Sequence, residues 1–599
     1  MKKFVFIVFW FLFVPMGAFI LGSDVSPGVE PCETDPPNQP EPTDLNPTLF
    51  FNATLVNGGR TVNNLFSHCG QWYGGNRNGG LQWAYSKPGE LVNTFPQLEY
   101  VTLHSMTGGS PKLDLYAKTN DPHGGMDFTM FNLELDRVLA QGVKPYIKVA
   151  TVPHCLSDGE DSDKASVFEG NKKTPGTHEQ WTLYYEYVKA IAQNTVDTYS
   201  LETARSWQWG CFSEANNIHW LDMGSRDKTE EAFFKLYDFT VAALQSVLGK
   251  DQFDMGTHLM GSFPISSDMI TFSEESFIEH CVNGKNYYTG ETGTQLNFIA
   301  ISRYNDAPGK PESLIPFAKI AENILNKASA VGLNVRLGVD EYGTIDDHVG
   351  NVLSGSRTVG TPWQTSKTGA HFVEMLLAGY DYLSTWSLTS SWNYCHLNTT
   401  KCSLSGARLA QGNVGQLASM MEGSVLQTTE KTGESAVKDN EVQAVISYND
   451  ATNTTFVFLY NHNSSLTAED SEVIAITLGN IVAAGGETVN VKRYVLDATH
   501  SNWWEIWWKE RGESILAKEN GYDRPELFSP YDVIFPNYLG LQEDRDYWNA
   551  NVERYAILSQ IATPQRYSLI PVDNTLTIQT VLPHHSVVLY EISNTAMAK

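Results

Sequence analysis

Residues 131–152 read FNLELDRVLAQGVKPYIKVATV, and the two halves of this stretch carry different periods. Phe131, Leu135 and Val138 recur at helical spacing, and the run stops at Gly142, a residue suited to a helix C-terminus. PYIKVATV (145–152) follows as a short buried strand. The helix-to-strand alternation continues in both directions. EYVTLHS (99–105), SWQWGCFSE (206–214), LNFIAISRY (296–304), NVRLGVDEY (334–342) and YLSTWSL (382–388) read as strands. Residues 181–196, 231–249, 315–332 and 369–380 read as amphipathic helices between them. Strands separated by helices form a parallel sheet covered by helices. Seven or eight such units over roughly 350 residues fit a (β/α)8 TIM barrel. A doubly wound sheet alternates in the same way, but no GxGxxG follows a strand to support nucleotide binding.

Beyond about residue 420 the pattern becomes short strands between Asn, Gly, Asp and Ser turns, as in EVQAVISYND, TTFVFLYNHN and HSVVLYEIS. The fold class is therefore α/β, a TIM barrel over 49–420 with a C-terminal all-β sandwich over 421–599. The early strand TLFFNATLV (48–56) is a candidate to pair into that sandwich. Ahead of it, residues 24–48 are rich in Pro, Asp and Glu and read as a linker. Lys2 and Lys3 precede an apolar run from Phe4 to Leu21, the layout of a secretory signal peptide over 1–23, with an uncleaved signal anchor as the alternative. A secreted protein, extracellular or periplasmic, is expected.

With 41 Lys and Arg against 68 Asp and Glu, the formal charge is −27. Binding to a nucleic-acid backbone or an anionic membrane is driven by basic residues, so neither partner is expected. The 15 Trp and 27 Tyr suit a carbohydrate partner, whose apolar C–H faces stack on flat rings. Seven cysteines include Cys395 and Cys402, close enough in sequence for a bridge in an exported protein. No CxxC pair occurs and His does not join Cys at zinc spacing, so neither a metal nor a cofactor is expected. Asn52, Asn398, Asn453 and Asn463 begin glycosylation acceptor triplets.

A barrel of this kind carries its site at the C-terminal strand ends. Two strands end in acids there. Trp209-Gly-Cys-Phe-Ser-Glu214 runs into Ala-Asn-Asn-Ile-His-Trp220, and Val335-Arg-Leu-Gly-Val ends in Asp340-Glu341. Cleavage of a glycosidic bond needs two carboxyl groups, one to protonate the leaving oxygen and one to attack the anomeric carbon or activate water. Asp340 competes with Glu341 for the second role, but neighbouring strand residues point to opposite faces.

SWQWGCFSEANNIHW resembles the acid/base strand of clan A retaining glycosidases, especially glycoside hydrolase family 39, which contains β-xylosidases and α-L-iduronidases. VDEYG resembles the segment bearing the family's nucleophile, and LDRVLAQGVKPYIKVATVP its third helix–strand unit. RYVLDATHSNWWEIWW (493–508) resembles a segment of its β-sandwich. The resemblance implies a retaining hydrolase with Glu214 as acid/base, protonated through a raised pKa, and Glu341 as nucleophile. It selects Glu341 over Asp340. It departs at Ser213, where the family has Asn, at Ala215, where it has Pro, and at Ser302, where it has His. Asn216 or Asn217 is the candidate replacement for the lost Asn. These departures also motivate an inactive carbohydrate-binding protein on the same scaffold, and an agar- or porphyran-type marine galactan is an alternative substrate. Tyr304 is expected to bond the nucleophile, and Trp386 to floor the sugar subsite. His104 either contacts sugar hydroxyls or is a structural histidine. Trp72 and Trp220 are further substrate-binding candidates, Trp72 with Tyr73 and Trp83 in a Gly-rich loop. Trp503, Trp504, Trp507 and Trp508 are expected to pack domains together.

Overall fold

The computed structural model describes residues 45–56, 58–72, 87–104, 115–116, 120–149, 152–159, 172–305, 314–344, 361–385, 408–426, 430–437, 439–465, 468, 470–507, 509–510 and 542–598. Residues 1–23, expected to be a signal peptide, and Cys395, Cys402, Asn398, Tyr73, Trp83, Trp386 and Trp508 lie outside them. Strand β1 is Leu49–Thr54. Eight strands then follow: β2 His68–Trp72, β3 Tyr100–His104, β4 Lys144–Val149, β5 Gln208–Cys211, β6 Asp254–Gly261, β7 Phe298–Asn305, β8 Arg336–Thr344 and β9 Tyr382–Thr385. They close, all parallel, into a barrel in sequence order, β9 returning to β2.

Two of these strands are not legible as strands in the sequence. HCGQW (β2) and DMGTHLMG (β6) carry His and Gly where the others have apolar runs. Inside the barrel those small positions are needed. A Cβ on Gly338 of β8 would stand 2.1 Å from the Tyr382 ring, and one on Gly210 of β5 would stand 2.8 Å from the Tyr146 hydroxyl. Glycine in a strand here marks a close approach. The rings of Tyr146, Phe298 and Tyr382 pack there with Ala300 as one buried cluster.

The helices obey their local signals. Thr177 and Gln180 make a reciprocal capping box at the start of His178–Tyr199, and Thr361 caps Pro362–Ala378, which ends at Gly379 in the left-handed conformation. Ridges of Phe, Leu, Ile and Val on these helices pack on the outward residues of the strands as one large core.

The C-terminal strands are β10 Ser424–Val425, β11 Glu430–Gly433, β12 Asn440–Asn449, β13 Thr454–Asn463, β14 Glu472–Gly479, β15 Ile481–Ala483, β16 Val489–Leu496, β17 Gln565–Leu569, β18 Thr575–Leu582, β19 Ser586–Ser593 and β20 Thr595–Met597. One sheet runs β10-β12-β13-β19-β16-β17 and the other β11-β1-β14-β18, with β15 and β20 as a separate pair. The placement of Leu49–Thr54 in the 49–420 barrel segment is thereby corrected. β1 lies parallel to β14, and its alternate residues Leu49, Phe51 and Ala53 are buried in the sandwich core. Within this C-terminal all-β unit a helix, Gln542–Leu558, stands between β16 and β17.

The two units are packed together. Phe372 of the helix before β9 meets Phe458 of β13 with ring centroids 4.7 Å apart, and Gly369 of that helix lets Val587 of β19 approach. Trp503, Trp504 and Trp507 are buried against one another, and the Trp503 indole N–H donates to the Arg408 carbonyl at the entrance to helix Ala410–Ser419.

Candidate active site

β5 ends at Cys211, and the next residues turn sharply inward. Phe212 (φ 68°) and Glu214 (φ 48°) both adopt the left-handed conformation, which costs a non-glycine residue about 1–2 kcal/mol. The turn is held by the Phe212 N–H donating to the Val149 carbonyl and the Ala215 N–H donating to the His258 carbonyl. Backbone strain held in place by neighbouring strands is a frequent mark of a functional site. The Glu214 carboxyl that results is buried and held by three donors. Asn217 Nδ2 (2.7 Å) and Trp220 Nε1 (2.9 Å) meet its Oε2, and the Ser302 hydroxyl (2.5 Å) meets its Oε1.

Glu341 comes from β8. The Tyr304 hydroxyl donates to its Oε2 at 2.6 Å, and His104 Nδ1 lies 3.4 Å from its Oε1. Ser302 and Tyr304, two residues apart on β7, therefore hold one carboxyl group each, Glu214 and Glu341 respectively. Glu341 and Ser302 are also partners in the β7–β8 register. Burial, then repulsion from Glu214, pushes the Glu341 carboxyl up to about 8, against the opposing pull of Lys148 and Tyr304. Asp340, the residue before Glu341, adds to the repulsion. A raised carboxyl is thus present at Glu341.

Alternation along β8 predicts that Asp340 turns away from the interior. It does not, because the register slips on both sides of this point, between Ile301 and Ser302 opposite and between Val339 and Tyr342 toward β9. An irregularity of this kind lets successive side chains share a face. Asp340 is fully buried inside the barrel, accepting the Tyr146 hydroxyl (2.9 Å), the Tyr382 hydroxyl (2.9 Å) and the Lys148 ammonium (2.8 Å). Lys148 Nζ also donates to His258 Nδ1 at 2.7 Å and to His104 Nδ1 at 3.1 Å. Burial, reinforced by this ammonium, holds both histidines well below the ordinary imidazole value, so both are neutral.

The remaining candidates divide. His104 is fully buried in this floor, with Ser213 Oγ 3.4 Å from its Nδ1. Trp220 lies beside Glu214 and spends its N–H on that carboxyl. Asn216 does not face the carboxyl pair, and its place as a substrate contact is corrected. Its Oδ1 accepts from the Met260 N–H and its Nδ2 donates to the Phe272 carbonyl, which ties the loop down, while its neighbour Asn217 takes the position at Glu214. The left-handed turn at Glu214 sets which asparagine points inward. Trp72 ends β2 beside His104 in the register, its side chain outside the described atoms, and Trp386 follows β9 outside the described residues. Sequence reasoning misses Lys148 and His258, and it misses Asp340 as part of the floor. The signal for Lys148 is a single charge in the middle of the apolar run PYIKVATV.

His104, His258 and Glu341 bring three ligand atoms within 4.8 Å of one another, which is the spacing of a metal site. The Lys148 ammonium lies at the same centre and donates to the Nδ1 atoms of both histidines.

The model of glycosyl hydrolases family 39 matches residues 60–520. The chain belongs to that family. A β-xylosidase of Geobacillus stearothermophilus is 21% identical over 261 residues, covering 44% of this chain and 47% of the relative. The α-L-iduronidase of Mus musculus is 22% identical over 313 residues, covering 51% of this chain and 43% of the relative. The family 39 chain thus matches about half the length of these curated relatives. Among solved structures, a monomeric β-xylosidase from Caulobacter crescentus superposes with TM-score 0.56 at 13% identity, covering 91% of this chain and 99% of that one. A bacterial orthologue of human α-L-iduronidase gives 0.58 at 14%, covering 92% and 84%. At these identities the structural likeness concerns the fold.

Proposed function

We propose that this family 39 protein is a secreted retaining glycoside hydrolase in which Glu341 is the nucleophile and Glu214 the acid/base. One observation carries the reading. Two carboxyl groups from β5 and β8 converge at the C-terminal mouth of the barrel, each held by a hydroxyl from β7, Ser302 at 2.5 Å from Glu214 and Tyr304 at 2.6 Å from Glu341. With Glu341 raised to about 8, the site retains a proton at neutral pH. In the productive complex it sits on Glu214. Glu341 attacks the anomeric carbon as the glycosidic C–O bond breaks, and the proton passes from Glu214 to the departing oxygen. Water then adds to the glycosyl-enzyme, giving its proton back to Glu214 and releasing Glu341.

The names of the relatives make β-D-xylosides and α-L-iduronides the first substrates to try, with agar-type oligosaccharides after them. The basic, apolar N-terminal segment from Lys2 to Leu21 supports export, and no helix among the described residues is long and apolar enough to cross a membrane. A glycoside panel tests the reading, with the wild type, Glu341→Gln and Glu214→Gln compared. Turnover by the wild type that Glu341→Gln abolishes is expected. Binding without turnover on every sugar, or unchanged turnover in Glu341→Gln, rejects it.

A further inference from the structure

Beneath the carboxyl pair runs a chain of polar groups whose direction is fixed at one end. Lys148 Nζ contacts Asp340 Oδ2, His258 Nδ1 and His104 Nδ1 at 2.8, 2.7 and 3.1 Å. An ammonium has three donors and no acceptor. Both Nδ1 atoms must therefore accept, and each neutral imidazole carries its proton on Nε2. His258 Nε2 lies 2.7 Å from Ser302 Oγ, so it donates to that oxygen. A hydroxyl has one proton, and Ser302 directs it to Glu214 Oε1 at 2.5 Å. At the other oxygen of Glu214, the Asn217 and Trp220 donors occupy both acceptor positions of Oε2. Among the described residues, one position on Oε1 stays open.

We infer that Lys148, His258 and Ser302 form a one-way hydrogen-bond chain that positions the acid proton of Glu214 on Oε1, facing the glycosidic oxygen. The inference rests on the proposed hydrolase reading. Lys148 and His258 are positioning residues, acting through Ser302. As the glycosidic C–O bond breaks, the Oε1 proton moves to the leaving oxygen and its bonding pair becomes the new charge on Oε1. The Ser302 hydroxyl, already aimed at that oxygen, meets this charge without reorganising. Reversal of the chain would require Lys148 to give up a proton beside Asp340, which also accepts two tyrosine hydroxyls. The polarity is therefore built into the floor of the barrel.

The test compares phenyl and dinitrophenyl glycosides of the sugar that the wild type cleaves. Dinitrophenolate leaves without acid assistance, whereas phenolate needs it. Ser302→Ala and His258→Leu should lose about tenfold or more in kcat/KM on the phenyl substrate and less than about threefold on the dinitrophenyl one, since general acid catalysis contributes roughly 10²–10⁴-fold. His258→Gln, whose amide N–H replaces the Nε2 donor, should recover most of the loss. Equal loss on both substrates would assign Ser302 a merely structural role and overturn the inference. A wild type that cleaves no glycoside overturns the hydrolase reading instead. The chain itself is then read directly by ¹⁵N NMR of histidine-labelled protein, with His258→Gln identifying the signal. Protonated Nε2 and bare Nδ1 at His258 are expected, and an Nδ1–H tautomer contradicts the chain.

Discussion

Replacing Glu341 with glutamine removes a charge that the fold holds at a cost. The Glu341 carboxyl rises from 4.5 to about 8 in the folded protein, first by burial and then by repulsion from Glu214. Between those two values the folded chain binds a proton that the unfolded chain releases, so stability falls as pH rises through this window. Each unit is worth about 1.4 kcal/mol, which gives about 3 kcal/mol lost by pH 7 and at most about 5 kcal/mol by pH 8. Sharing of the proton with Glu214 reduces the realised amount. Glutamine keeps an oxygen for the Tyr304 hydroxyl and has no charge to lose. Glu341→Gln should therefore match the wild type at pH 4.5 and exceed it increasingly toward pH 8, by several degrees in the midpoint of thermal unfolding. Scanning calorimetry of both proteins at several pH values measures the difference, in which the other titrating groups cancel. A constant difference from pH 4.5 to 8 would mean that Glu341 ionises as an ordinary solvated carboxyl group.

Three further outcomes follow from the same geometry. On a cleaved glycoside, kcat/KM should fall above about pH 8, where the carboxyl pair loses its proton, and a pH–rate profile flat to pH 10 would contradict this. Lys148→Met should destabilise the barrel by about 3–5 kcal/mol by leaving Asp340 uncompensated, and Lys148→Met with Asp340→Asn should recover part of that in a denaturant titration. Gly338→Ala should cost about 1–3 kcal/mol in the same titration, because its methyl group collides with the Tyr382 ring.

Much of the barrel is legible in the sequence because its helices bury one face and its strands bury both, so period and apolar runs agree. β2 and β6 escape because their inward positions carry His and Gly, chosen for contacts with other strands that a single segment does not reveal. β1 alternates clearly, yet its partners β11 and β14 lie hundreds of residues onward, so the sequence raises its membership of the sandwich without fixing its neighbours. At the site, the two strand-end acids Glu214 and Glu341 are visible as acids following apolar runs. The irregularity at Asp340 is not, because register is a property of three strands together. The choice of Asn217 over Asn216 depends on the positive φ at Glu214, which the sequence does not announce. The raised carboxyl at Glu341 follows from burial and from the spacing of three acids, quantities that exist only after folding. Ser302 reads as the loss of a family histidine. Folded, it stands against an imidazole supplied from the neighbouring strand by His258.

In the proposed mechanism Glu341 forms a covalent bond to the sugar while Glu214 manages the proton. Incubation with a fluorosugar inhibitor that traps the glycosyl-enzyme, followed by peptide mapping by mass spectrometry, tests it most directly. A single added glycosyl group on the peptide carrying Glu341 is predicted, and it should be absent from Glu341→Gln. A label on any other residue, or first-formed product of inverted anomeric configuration, would contradict it.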